Sequence, residues 1–223
     1  MCSLFSFRRP AEEARNLFNY LDHPNFPPRE YVTPGSPLAI VRNGLDHQRH
    51  FALVRWGFVP GWAKEILPGR PLINARSETV YEKASFKNAI RRRRCLIPAD
   101  GFYEWQGDVR GKKQAWFIHQ PSDALFAFGG IWEHWMGADG SELETAAMLT
   151  AEPNALIATI HDRCPVVIMP ENFERWLSDD EKVHDLLKAP ADDFFTMEKT
   201  IIARGLPKSP PPAPPPKQQM DLF

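Results

Sequence analysis

The sequence predicts an α+β fold built around a curled, mostly antiparallel β-sheet, barrel-like at its core and flanked by short helices. Three observations lead there. Short strand-like runs outnumber helical ones, Gly, Pro and Asp punctuate them, and no internal repeat is present. With 43% hydrophobic, 12% aromatic and 25% charged residues, the chain of 223 residues is composed like a globular domain. At this length it can bury a core without disulfides or metal.

Taken in order, Pro10 followed by Ala14, Leu17, Phe18 and Leu21 repeats at i, i+3, i+4 and i+7, a helix with proline in its first turn. Strands are predicted over 38–41, 51–58, 115–119, 125–131 and 145–149. A helix over 82–93 would carry Lys83, Lys87, Arg91 and Arg94 at spacings that align four cations on one face. A last helix opens at Glu152-Pro-Asn and ends near His161, because Pro165 forces the chain out of helix. Composition changes near Pro207: seven of the 22 prolines fall between Pro207 and Pro216. This divides the chain into a domain over 1–200, a proline-rich linker over 201–217 and a terminal peptide over 218–223. The prolines predict an extended arm of about 30 Å at roughly 3.1 Å per residue.

Charge excludes one class of function. Lys and Arg number 27 against 28 Asp and Glu, a net charge of −1, so a nucleic-acid site must be a local patch and not a global basic field. No apolar run reaches the ~18 residues of a membrane span, and no charged-then-apolar leader opens the chain. Cys2, Cys95 and Cys164, odd in number and widely spaced, read as free thiols of a reducing cytoplasm. Only His161 and Cys164 have local ligand spacing, so no metal and no cofactor is expected.

Cys2 is the most informative position. Loss of Met1 would leave an α-amine and a thiol on one carbon framework. The amine, with an ordinary pKa near ~7.7–8.0, is partly neutral at physiological pH and forms a Schiff base with an aldehyde. The thiol then closes a thiazolidine ring by intramolecular attack. A buried, incidental cysteine is the alternative. Asn74, Arg76 and Glu78 alternate, which on a strand puts them on one face, either a lined pocket or an exposed surface. Glu104 stands among large aromatics, where burial would raise its pKa and suit it to general-base work; a surface strand edge is the bland reading. His161 suits proton transfer near neutrality but is one of seven histidines. Trp62 is a candidate platform for an unpaired base, whereas Trp56 reads as core.

Together, TPGSP, RWGFVPGWAK, INARSETV, RRCLIPADGFYEW, FGGIWEHW and MLTAEPN…IHDRCPVVI, behind Met-Cys, resemble the SRAP (SOS-response-associated peptidase) family over roughly residues 1–190. The resemblance implies a protein that recognises abasic sites in single-stranded DNA and crosslinks to them through Cys2, with lyase-type activity as an accompanying reaction. By matching position, Cys2 is the implied nucleophile and Asn74 holds the opened sugar. Glu104 manages protons at the amine, His161 acts at the sugar oxygen, and Arg76 holds a flanking phosphate. DNA contacts are expected from Arg76, Lys83, Lys87, Arg91, Arg94 and Trp62. The chain departs from the family in having Ser3-Leu4 where Gly-Arg is usual, with Arg8 or Arg9 the nearest stand-ins for the missing cation, and Cys164 where Met is usual.

The terminal Gln219-Met220-Asp221-Leu222-Phe223 resembles the short peptide with which bacterial replication and repair proteins dock on the sliding clamp. A clamp is therefore an expected partner beside abasic single-stranded DNA, for a monomer in the cytoplasm at the nucleoid. Two other classes stay open: a thiol peptidase using Cys2 and His161, and a non-catalytic adaptor carrying single-stranded DNA to the clamp.

Overall fold

Five strands, several of them buried along most of their length, close into a barrel. The computed structural model describes residues 2–66, 69, 71–107, 113–179 and 182–202. In the chain's first half lie β1 (Phe5–Phe7), α1 (Ala11–Phe18), β2 (Arg29–Val32), β3 (Pro37–Asn43), β4 (Arg49–Trp56), β5 (Asn74–Arg76) and α2 (Ala89–Arg92). Then come β6 (Arg94–Ala99), β7 (Gly101–Gln106), β8 (Gln114–His119), β9 (Phe126–Met136) and β10 (Glu142–Ala151). The last elements are α3 (Ala155–Ala158), β11 (Cys164–Pro165), β12 (Val167–Ile168), α4 (Phe173–Leu177) and β13 (Thr196–Thr200).

Strand β3 pairs with β4 in one hairpin and touches β6 at Val41–Leu96; β6 pairs with β9, and β9 with β10. A parallel pairing of β10 with β4 completes the ring β4–β3–β6–β9–β10. The end of β10 also carries β5 in parallel and β11 antiparallel. A second, wholly antiparallel sheet runs β13-β8-β7-β1-β2.

The chain passes from barrel to second sheet at Asp100, between β6 and β7. Asp100 is fully buried and accepts hydrogen bonds from Ser6 Oγ, from the Arg8 backbone N–H and from Arg8 Nε. At the next residue only glycine fits, since a Cβ on Gly101 would lie 2.3 Å from the Phe117 ring. The two layers meet through aromatic edges: Phe5 against Trp56 (5.3 Å between centroids) and Phe128 (5.8 Å), and Phe102 against Phe128 (5.9 Å). Each such buried ring contributes roughly 1.5–3 kcal/mol.

The expected strands all form, and β9 and β10 run longer than the local pattern indicates. Helix α1 stops at Phe18, where Asn19 adopts φ 52° and returns its N–H to the Arg15 carbonyl, so Leu21 falls outside. The helix expected over 82–93 does not form as one element. Its place is taken by successive turns and the four-residue α2, which buries Ala89 and Ile90, with Phe86 buried in the turn before it. The last expected helix shortens to α3, with Asn154 Oδ1 capping the Ile157 N–H at 3.0 Å. Trp56 is core. The proline arm and terminal peptide lie outside the described residues, and no helix among those described is long and apolar enough to cross a membrane.

A candidate active site at the N-terminus

The pairing of β1 with β7 aligns the start of the chain with Glu104. Phe5 faces Phe102, and the Tyr103 N–H reaches the Leu4 carbonyl at 2.9 Å, continuing the ladder toward Cys2. On β7, alternation sends Phe102 and Glu104 to the inner face and Tyr103 and Trp105 to the outer one. Strand β5 approaches from the barrel side: Asn74, in register with Met148 of β10, donates from Nδ2 to the Cys2 carbonyl at 2.9 Å. Asn74 Oδ1 is buried and has no hydrogen-bond partner among the described residues. It is an acceptor open to a ligand.

Glu104 is 3% exposed. Burial pushes its carboxyl above the ordinary carboxylate range, partly offset by the positive potential of His161. His161 Nε2 lies 3.8 Å from Glu104 Oε2. The imidazole is set by its own loop: the Arg163 N–H donates to Nδ1 at 2.9 Å, which leaves the ring proton on Nε2, facing Glu104. Asp162 Oδ1, 3.0 Å from Nδ1, becomes that nitrogen's partner when the ring is charged. Arg163 in turn grips both oxygens of Glu78 at 2.8 Å and the Thr150 carbonyl at 2.7 Å, pinning the His161 loop to β10. Sequence reasoning misses this clamp, although a cation two residues after His161 is its signal.

Cys2 is 1% exposed, and its thiol donates to the Leu4 carbonyl at 3.6 Å. Burial, followed by the charge of Glu104, pushes the thiol well above its ordinary pKa. The side chain that the resemblance makes the nucleophile is thus buried in this structure. Met1 itself lies outside the described residues. Cys164, the other departure at this site, is also buried, and burial raises its thiol to about 12, so it is an inert packing group.

The sequence-predicted residues therefore separate. Cys2, Asn74, Glu104 and His161 come together. Arg76 is exposed at the end of β5, two residues beyond Asn74, while Glu78 leaves the strand face for the Arg163 clamp. Lys83, Lys87 and Arg91 are exposed, and Trp62, 65% exposed, lies beside them with its Nε1 donating to the Ala84 carbonyl at 3.3 Å.

Arg94 is the exception. It is 5% exposed and donates to the carbonyls of Trp176 and Ile90 at 2.7 Å each, and to Ser178, so it cannot reach a strand. Arg8 is held by Asp100 and lies 4.7 Å over the Phe117 ring, and Arg9 bonds the Asp123 carbonyl at 2.6 Å. Leu4 is buried against Tyr103 and Phe117, on the outer side of the sheet.

What fold and site define is a mixed α+β domain whose second residue, Cys2, is buried near the Glu104 carboxylate, which the His161 imidazole approaches. The chain belongs to the family described as SOS response associated peptidase (SRAP), which it matches over residues 1–201. It is 34% identical over 213 residues to the abasic site processing protein YoqW of Bacillus subtilis, covering 92% of this chain and 95% of that one. Against the chicken (Gallus gallus) abasic site processing protein HMCES it is 33% identical over 148 residues, 56% of this chain and 44% of that one. A crystal structure from Bacteroides thetaiotaomicron shares the fold with a TM-score of 0.80 at 21% identity, covering 92% and 93% of the two chains. One from Bordetella bronchiseptica gives 0.79 at 26% identity, covering 90% and 100%.

Proposed function

We propose that the protein processes abasic sites in single-stranded DNA as part of a DNA-damage response, trapping the lesion covalently through Cys2 once Met1 has left. The observation that carries this reading is the convergence of Asn74, Glu104 and His161 on the leading residue, in a family whose relatives are named for abasic sites. The ring-opened sugar offers an aldehyde. The neutral α-amine of Cys2 adds to its carbon, and loss of water gives an imine. The thiol sulfur then adds to the same carbon while its proton passes to the imine nitrogen, closing the thiazolidine. Glu104 takes and returns protons at the amine, His161 serves the sugar oxygen, and Asn74 Oδ1 is the acceptor for a sugar hydroxyl. Arg76, Lys83, Lys87 and Arg91 hold phosphates, and Trp62 stacks on a base.

A thiol that burial holds protonated is a poor peptidase nucleophile, since the thiolate is the reactive form. The amine-first route needs no thiolate at the outset. Intact mass spectrometry with and without an abasic oligonucleotide tests the proposal. The expected result is a chain lacking Met1 that gains the oligonucleotide mass less one water. A processed chain that gains nothing overturns it, and turnover of a peptide with the α-amine blocked favours the peptidase.

We also propose that the terminal Gln219, Met220, Asp221, Leu222 and Phe223 dock on the sliding clamp, with the proline segment as spacer. A glutamine suits a pocket rim and a Leu-Phe pair an apolar cleft, the anchors such a docking peptide needs. A tether would raise the local concentration of the domain at replicating DNA.

A further inference from the structure

Beyond Glu104 the second sheet carries a row of side chains that none of the steps above uses. Across β7, β8 and β13, Glu104 stands opposite Trp116 and Trp116 opposite Lys199, so the three share one face. That face is the inner one, because Phe102, Ile118 and Met197 form the row before it and pack on the core. At Trp116 the core ends. The indole is half-buried and Lys199 is exposed, with its Nζ 5.7 Å from the centre of the indole ring. Two strand spacings of about 4.8 Å separate the β7 and β13 backbones, so Lys199 starts about 10 Å from Glu104.

Three observations say what this lysine holds. Among the described residues it forms no ion pair, and Glu198, its neighbour in the chain, points to the other face by alternation. The indole is already committed: its Nε1 donates to Gln106 Oε1 at 3.2 Å and one face carries the ammonium. It is therefore a seat for a cation and not a platform for a base. The seat is also fixed to the candidate site, since Gln106 Nε2 donates to the Thr159 carbonyl at 3.0 Å, two residues before His161. An exposed ammonium held in place beside a DNA site, with no carboxylate on it, suits a phosphate oxygen. Its distance from Glu104 is about three steps at the 3.4 Å per-strand rise of a duplex, and fewer in an extended strand.

We infer that Lys199, seated on Trp116, grips a backbone phosphate within about three nucleotides of the lesion, on the far side of Glu104 from β1. The inference rests on the abasic-DNA reading above and adds a direction to it. Arg76 stands on the barrel and Lys199 on the second sheet, so the strand crosses the seam between the two layers at the site.

Seven single-stranded oligonucleotides test this, each with one abasic site. One has phosphates throughout, and each of the other six has an uncharged methylphosphonate at one of the three linkages on either side of the lesion. Lys199→Ala should raise the protein concentration for half-maximal adduct about fivefold on the first strand, and the rise should vanish on one methylphosphonate strand. No rise, or a rise shared equally by all seven strands, overturns the inference, while the adduct itself leaves the abasic-site reading intact. A second arm needs no adduct. On a strand with an unreactive tetrahydrofuran lesion, fluorescence anisotropy should show Lys199→Ala lowering the slope of log affinity against log salt by about 0.7, and Lys199→Arg restoring it. An unchanged slope overturns the phosphate contact whatever the first arm gives.

Discussion

In the proposed mechanism Glu104 contributes charge and Asn74 a positioned acceptor. Burial makes the Glu104 carboxyl a stronger base than an exposed one, at a cost to the fold. Because its folded pKa is raised, the stabilisation linked to its proton is complete below the ordinary carboxylate pKa of about 4.3 and disappears as pH rises through the raised value. Glu104→Gln should therefore raise the thermal midpoint at pH 7, with the gain shrinking toward pH 4; a gain independent of pH would contradict the buried carboxylate. The same variant should slow adduct formation about 100-fold while oligonucleotide affinity stays within about twofold. Single-turnover gels and fluorescence anisotropy separate the two effects.

The turns between β5 and β6 show how one basic run serves two ends. Lys83, Lys87 and Arg91 face solvent, whereas Arg94 supplies donors to carbonyls that close α2 and α4 onto the barrel. Arg94→Ala should destabilise the domain by about 3 kcal/mol, seen as a fall of roughly 10 °C in Tm, because buried carbonyls lose charged donors. Replacing Lys83 and Lys87 by Ala should leave Tm unchanged. It should lower the slope of log affinity against log salt by about 1.4, or ~0.7 for each phosphate no longer neutralised. A Lys83/Lys87 variant with an unchanged salt slope would remove those lysines from the DNA path.

For the whole molecule, the barrel and the second sheet form one scaffold, with Cys2 held between them. Strand β1 belongs to the second sheet while Asn74 reaches Cys2 from the barrel, so the site depends on the Phe5–Trp56–Phe128 packing that joins the layers. The tail is a separate matter of reach. Deleting residues 203–223 should leave adduct formation on an oligonucleotide unchanged and abolish retention on immobilised sliding clamp. Retention without the tail would place the clamp contact on the domain.

Much of this is legible in the order of residues alone. The α+β class and four of the five barrel strands follow from local alternation and turn residues, which act over a few positions, whereas β6 is not anticipated and the quartet of Cys2, Asn74, Glu104 and His161 is singled out by the family resemblance. What is not legible depends on contacts between distant segments. Arg94 continues the cationic spacing of Lys83, Lys87 and Arg91, yet its neighbours in space are Trp176 and Ser178, more than 80 residues away. Leu4 reads as a missing cation, but it packs outside the sheet against Tyr103 and Phe117. The Arg163–Glu78 clamp and the burial of Cys2 likewise belong to the tertiary structure alone. Local sequence sets which groups are present and how they alternate, while desolvation and hydrogen-bond pairing are decided only when remote chain segments pack together.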